Sequence, residues 1–154
     1  MIRVALDTNV LVYAEGIGST PVDETKARQA KRLLDRTTSA GIRPVVALQS
    51  FAELHRILVR KGGFNSRDAA SKVSDWRATT EAIATKHIVF DAALELAADH
   101  QLQIYDAIIF AAAVHARCDL LLSEDLQDGF AWRGVTVANP FAPTLERRLA
   151  RLIG

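Results

Sequence analysis

Short apolar segments that alternate with longer helical ones constrain the fold of this chain most. The apolar segments of strand length lie at 2–6, 43–48, 86–90, 120–122 and 135–137, and the first of them does not alternate between apolar and polar residues. A strand of this kind is expected in a sheet that is covered on both faces. Because helical segments separate these strands, the sequence predicts an α/β fold with a short parallel sheet flanked by helices on both faces.

The predicted helices have identifiable ends. The clearest start is at Thr20, a hydroxyl cap that is followed by Pro21 and by an acid three residues after the cap, Asp23. Asp91 is predicted to cap a helix further along the chain. The predicted helices cover about 10–14, 21–38, 50–60, 66–77, 92–100, 105–117 and 143–152. The helix at 105–117 is so apolar that it must be largely buried.

Length, charge and cysteine content restrict the class of protein. The chain has 154 residues, of which 49% are hydrophobic, so it can bury a core as one domain. Its net charge of +1 indicates no strong field toward nucleic acid or an anionic membrane. The single cysteine, Cys118, excludes an intramolecular disulfide framework and fits a reducing compartment. No apolar run approaches the roughly 20 residues of a membrane helix, and Asp7 interrupts the N-terminal apolar stretch. We therefore expect a cytoplasmic protein.

Acidic residues lie where the predicted strands end. Asp7 directly follows the first strand, Glu53 lies in the opening turn of the helix after the second, and Asp125 lies just beyond the fourth. Asp106 opens the most apolar helix. Ligands of parallel α/β sheets bind beyond the carboxyl ends of the strands. We therefore expect these four carboxylates to gather at one end of the sheet.

Such a cluster of acids requires compensation. Two unit charges about 4 Å apart repel by roughly 4 kcal/mol at an effective dielectric constant of 20. Helix N-termini would offset less than about 1 kcal/mol each at Asp106 and Glu53. The acids must therefore take up protons or hold a cation. An all-oxygen ligand set suits Mg²⁺ or Mn²⁺, and neither the four histidines nor Cys118 has the spacing of a zinc site. A divalent metal held by few carboxylates is suited to phosphate-ester hydrolysis.

Each acid taken alone also has a purely structural interpretation. Asp7 could be a turn or helix-cap residue, and Glu53 a solvated helix residue. An Asp such as Asp106 is favoured at a helix N-terminus. Asp125 and Asp128 could be loop residues before a turn. The prediction of a metal site therefore rests on the joint placement of the acids.

Four short motifs at these positions are similar to those of a known family. They read DTNV at 7–10, QSFAE at 49–53, YDAII at 105–109 and LLSED at 121–125. With these motifs in order, residues 1 to about 141 resemble the PIN domain nucleases, particularly the VapC-type toxins of bacterial toxin–antitoxin pairs. The resemblance implies a single PIN-like domain over 1–154 with Mg²⁺- or Mn²⁺-dependent endoribonuclease activity. Asp7 and Asp106 would be the principal metal ligands. Glu53 and Asp125 would complete the pocket, binding the metal directly or through water and helping to orient the attacking water.

The same resemblance assigns supporting residues and partners. Asn9 and Ser123 would hydrogen-bond the metal ligands, and Thr8 would begin the turn that supports them. Asp128 would be an auxiliary acid. A metal-activated water would hydrolyse RNA and leave a 5′-phosphate and a 3′-hydroxyl. Family membership further implies a homodimer and a small antitoxin that wraps the toxin and blocks its pocket.

Other functions would use a similar set of acids. An aspartyl-phosphate phosphatase requires a second Asp two positions after the nucleophile, where this chain has Asn9. A receiver-type signalling domain requires an acidic pair near the first strand, where Asp7 stands alone. A PIN-like scaffold that binds RNA or a partner without cutting is the remaining alternative. Loss of cleavage in Asp7 or Asp106 variants that keep the fold would distinguish the nuclease from the scaffold.

Overall fold

The computed structural model describes residues 1–153, so Gly154, the last residue of the predicted domain, lies outside the described residues. Within them a six-stranded sheet is combined with helices. The elements are β1 Val4–Leu6, α1 Thr8–Ala14, α2 Pro21–Ser39, β2 Val45–Ala47, α3 Leu48–Arg60, α4 Ser66–Thr79, β3 Glu81–Ile83, α5 His87–His100, α6 Ile104–His115, β4 Leu120–Leu122, β5 Ala131–Trp132, β6 Val135–Ala138 and α7 Leu145–Ile153. No helix in this range has the length and apolar character needed to cross a membrane.

The strand order of the sheet is β3-β2-β1-β4-β6-β5. β1 lies in the interior and pairs in parallel with β2 and β4, so that Ala5 is opposite Val45 on one side and Leu121 on the other. β3 and β6 extend the parallel sheet, and only β5 is antiparallel among the described strands. The predicted parallel sheet is confirmed, with a short antiparallel edge strand added. The carboxyl ends of β1, β2 and β4 therefore lie at one edge.

Apolar side chains cover both faces of the sheet. Val4 and Leu6 pack with residues of α1, α2 and α3, whereas Ala5, between them, packs with residues of α5 and α6. Phe110 of α6 is among the largest fully buried side chains. Because successive side chains of a strand point to opposite faces, a central strand between two helical layers must be apolar at every position. This explains the unbroken apolar run of β1.

The predicted strand at 86–90 is wrong, because α5 begins at His87 and includes this segment. The buried residues of α5 are Val89, Ala93 and Leu96, which have helical spacing, whereas Ile88 is 64% exposed. Asp91, predicted as the helix cap, therefore lies inside α5, and Lys86 is the capping residue. On the side of β2 away from β1, the neighbouring strand is β3, which comes before this segment in the sequence and is only half-buried at the sheet edge.

Several helix ends also differ from the predicted ones. The cap of α2 is confirmed, since Thr20 and Asp23 exchange the two hydrogen bonds of a capping box. α1 and α3 begin earlier than predicted, at Thr8 and Leu48, and α7 begins at Leu145. The early start of α1 matters for the site, because the residue before it becomes the helix cap.

Candidate functional site

Asp7 lies at the junction between β1 and α1 and is 4% exposed. Its extended backbone (φ −76°, ψ 160°) ends the strand, and its N–H donates to the carbonyl of Leu122 in β4 at 2.9 Å. Its Oδ1 accepts a hydrogen bond from the N–H of Thr8 at 2.7 Å, which caps α1. The capping role is therefore real, and it fixes the carboxyl group at the edge of the sheet.

Ser123, the first residue after β4, holds the other oxygen of Asp7. Its Oγ donates to Asp7 Oδ2 at 2.6 Å and accepts from the N–H of Leu126 at 3.2 Å. Ser123 is fully buried. The carboxyl group of Asp7 is thus oriented by one donor on each oxygen, and its position depends on the loop after β4.

Glu53 of α3 is held by two donors. Thr8 donates from Oγ1 to Glu53 Oε2 at 2.7 Å, and Gln49 donates from Nε2 to Oε1 at 3.0 Å. Thr8 therefore links Asp7, through its backbone, to Glu53, through its side chain. Gln49 was not among the predicted site residues. The contact between Gln49 and Glu53 could have been expected from the sequence, because residues four apart on a helix lie side by side and Gln49 precedes Glu53 by four.

The other two acids approach from different elements. Asp106 lies half-buried in the first turn of α6, and Asp125 lies exposed in the loop after β4. Burial raises the pKa of Asp106, and the charges of Asp125 and Glu53 raise it further. The structure therefore brings the four predicted acids close enough to influence one another.

The surroundings of Asp7 raise the pKa of its carboxyl group strongly. Burial raises its pKa from an ordinary value of 3.8 to about 6, although the hydrogen bonds from Ser123 and Thr8 act in the opposite direction. The charges of Asp106 and Asp125 raise the pKa further. A buried carboxyl group next to two others loses hydration and gains repulsion, and both effects favour the protonated form. A bound cation would compensate both.

The donor set fits a divalent cation that prefers oxygen. Among residues 1–153, no three His, Cys, Asp or Glu side chains are close enough together to form a ready-made metal cage. Mg²⁺ does not need one, because it commonly keeps several waters and binds one or two carboxylates directly. Asp7 and Asp106 would supply such carboxylates when a metal is bound. Two residues after Asp7, the amide of Asn9 has its oxygen and nitrogen buried without a hydrogen-bond partner in the described part of the chain.

Two of the predicted supporting residues, Asn9 and Asp128, do not make the contacts expected of them. Asn9 was predicted to hydrogen-bond the metal ligands, but in this structure its amide makes no such bond. Asp128 accepts hydrogen bonds from Arg148 Nη1 at 2.8 Å and from the N–H of Asn139 at 3.1 Å. These contacts tie the loop of Asp128 to α7, which gives this residue a structural role.

The fold and the site define an α/β protein in which acidic residues lie at the edge where its parallel strands end. The PIN domain family matches residues 4–130, a range that contains all four of these acids. The chain therefore belongs to the PIN domain family.

Solved structures of low sequence identity have a similar fold. A toxin–antitoxin complex from Klebsiella pneumoniae contains a chain that is 20% identical, with a TM-score of 0.66 over 90% of this chain and 98% of that one. A chain of VapBC2 from Rickettsia felis, bound to a DNA fragment from its promoter, is 16% identical, with a TM-score of 0.66 over 90% of this chain and 98% of that one. VapC20 from Mycobacterium tuberculosis, a sarcin-ricin loop cleaving toxin, is 16% identical, with a TM-score of 0.63 over 79% of this chain and 91% of that one. No curated protein sequence is similar enough to count as a match.

Proposed function

We propose that this protein is a divalent-metal-dependent endoribonuclease that acts as the toxin of a toxin–antitoxin pair. The observation that carries the proposal is the buried carboxyl group of Asp7, whose pKa rises to about 6 in the company of Asp106 and Asp125. Burial beside other acids disfavours the charged form of Asp7, and a bound cation would offset both the lost hydration and the repulsion. Membership of the PIN domain family and the toxins among its structural neighbours support the same activity.

In this proposal each acid has a role that follows from its place. Asp7 and Asp106, the two acids whose pKa values burial raises, would hold Mg²⁺ or Mn²⁺. When bound, the ion supplies a Lewis acid that stabilises negative charge on the phosphate and makes water more acidic. Glu53 and Asp125 complete the pocket and orient the attacking water. Glu53 is well suited to this task, because its two hydrogen bonds fix the carboxylate while leaving it partly exposed.

The reaction is a hydrolysis of the RNA backbone. Water loses a proton to a carboxylate of the pocket, and its oxygen forms a bond to phosphorus. The bond between phosphorus and the 3′ oxygen breaks, and that oxygen takes up a proton. The products are a 5′-phosphate and a 3′-hydroxyl.

The proposed partners follow from the same family. A small antitoxin would block the acidic pocket and keep RNA from it, and two copies of the chain would form a homodimer. The structural neighbours from Klebsiella pneumoniae and Rickettsia felis, a toxin–antitoxin complex and VapBC2, support an antitoxin partner.

A cleavage assay on structured and single-stranded RNAs tests the activity. The protein is incubated with Mg²⁺, Mn²⁺ or EDTA, in parallel with Asp106→Asn and Asp7→Asn. The control is Asp99→Asn, which removes the same charge from an exposed position of α5. We expect metal-dependent products with the wild type and Asp99→Asn, and none with the two pocket variants.

Two outcomes would contradict the proposal. Cleavage that survives both pocket substitutions would rule out the metal mechanism. Metal-independent RNA binding without cleavage, by a folded protein, would indicate a PIN-like scaffold that binds RNA without cutting it.

A further inference from the structure

An ion pair between Lys26 and Glu124 lies beside the acid pocket. Lys26 belongs to α2, and its Nζ donates to Glu124 Oε1 across a separation of 98 positions in the sequence. The side chains are 23% and 25% exposed, respectively. Glu124 lies between Ser123, which holds Asp7, and Asp125, which is an acid of the pocket. The pair therefore anchors the loop on which two elements of the site depend.

Two aromatic rings enclose the ammonium group of Lys26. Its Nζ lies 5.3 Å from the ring centre of Tyr13 at the end of α1 and 5.4 Å from that of Phe141 after β6. The two rings pack edge to face with their centres 5.2 Å apart. Cations near aromatic faces gain electrostatic attraction, more so when they are partly desolvated. Lys26 is thus held by contacts from three separate segments, unlike a mobile surface lysine.

In the loop after β4, the residues on both sides of Asp125 are held by hydrogen bonds. Ser123 is bonded to Asp7 and to the N–H of Leu126, and Glu124 is bonded to Lys26. Asp125, between these anchored residues, is exposed, and its charge acts on the buried Asp7. Lys26 also neutralises Glu124, which would otherwise add a further negative charge next to the pocket.

We propose that Lys26 is a positioning residue, which holds Glu124 and so fixes the loop that presents Asp125 to the acid pocket. The inference rests on the proposed function, because it assigns Asp125 a part in metal binding and hydrolysis. Residues that hydrogen-bond metal ligands typically change metal affinity or activity by about 10- to 100-fold when they are removed, and Lys26, which acts one contact further away, should fall at the lower end of this range.

Four variants separate positioning from general stability. Lys26→Met keeps the apolar stem but removes the charge, whereas Lys26→Arg keeps the charge. Glu124→Gln alters the same contact from the other side. The matched control is Arg36→Met, since Arg36 also belongs to α2 and donates to Glu146 of α7 at 2.9 Å, with side chains that are 50% and 69% exposed.

Three measurements are made on each variant: kcat and KM for RNA, the affinity for Mn²⁺, and hydrogen exchange at the backbone N–H of Leu126. For Lys26→Met and Glu124→Gln we expect kcat and Mn²⁺ affinity to fall by about tenfold or more, with little change in KM. The Leu126 amide should exchange faster, because its acceptor on Ser123 belongs to the loosened loop. Lys26→Arg should recover part of each effect, and Arg36→Met should show none.

The result that overturns the inference is normal exchange at Leu126 and normal Mn²⁺ affinity in Lys26→Met. If this variant does not fold, the same result in Glu124→Gln, which keeps Lys26 and both rings, overturns it. Equal effects in Arg36→Met would show that α2 contributes only to stability, and would also overturn it. Neither hydrogen exchange at Leu126 nor the affinity for Mn²⁺ depends on turnover. A wild type that cleaves no RNA would therefore count against the proposed function and leave the exchange result to decide the role of Lys26.

Discussion

Replacing Asp7 with asparagine should stabilise the metal-free protein at neutral pH, although it removes the central acid of the pocket. The carboxyl group of Asp7 is buried, and burial with repulsion from Asp106 and Asp125 raises its pKa from 3.8 to about 6. The folded protein therefore binds this proton more tightly than the unfolded chain does. As the pH rises from about 4 through about 6, the folded state loses stability, because the group must ionise where ionisation is unfavourable.

The magnitude follows from the shift in pKa. The difference between about 6 and 3.8 is about 2 pH units, and each unit corresponds to about 1.4 kcal/mol, so the ionised carboxylate costs about 3 kcal/mol above pH 7. Asparagine has no charge and avoids this cost. Its amide must replace the hydrogen bonds that Asp7 accepts from Ser123 and Thr8, each worth about 1 kcal/mol. We therefore expect Asp7→Asn to be more stable than the wild type by about 1 to 3 kcal/mol near pH 8.

Urea unfolding in EDTA between about pH 4 and pH 8 measures the effect. The free energy of unfolding of Asp7→Asn minus that of the wild type should increase between about pH 4 and pH 6 and level off at higher pH. Asp99→Asn, which removes an exposed acid, should give a small difference without that pH dependence. Addition of Mg²⁺ should then stabilise the wild type more than Asp7→Asn, because a ligand that binds only the folded state stabilises it by mass action.

A constant difference between Asp7→Asn and the wild type across this pH range would refute the reasoning. It would mean that Asp7 ionises in the folded protein as readily as in the unfolded chain. The carboxyl group would then be neither desolvated nor repelled by its neighbours, and the pocket would not need a cation.

Three further predictions concern the supporting residues and the core. Ser123→Ala leaves an oxygen of Asp7 without its donor and should lower the free energy of unfolding by about 1 to 3 kcal/mol, measured in urea. Thr8→Val removes the donor to Glu53 and should reduce RNA cleavage by about tenfold or more, whereas Thr8→Ser should retain most of it. Burial raises the pKa of the Cys118 thiol to about 12, so a thiol reagent should label it at neutral pH only when the protein unfolds. Rapid labelling of the folded protein would contradict this.

Signals within a few neighbouring residues made much of the fold predictable. The three residues that form β1, Val4–Leu6, are all apolar, which indicated a strand covered on both faces. Thr20 and Asp23 form the capping box that their spacing predicted. The acids at the strand ends could be placed at one edge because parallel strands end together. The same kind of signal failed at Ile88 and Val89, where an apolar run suggested a strand but belongs to α5.

The tertiary structure alone decided which distant residues meet and how deeply they are buried. The half-exposed edge strand β3 has little apolar pattern of its own, and its strand geometry depends on pairing with β2. The rise in the pKa of Asp7 depends on its burial and on the charges of Asp106 and Asp125, and the contact of Lys26 with Glu124 spans 98 positions. The sequence by itself therefore determined the types of strands, helices and acids. Burial and the distances between remote charges, which fix the chemistry of the pocket, arise only when the chain folds.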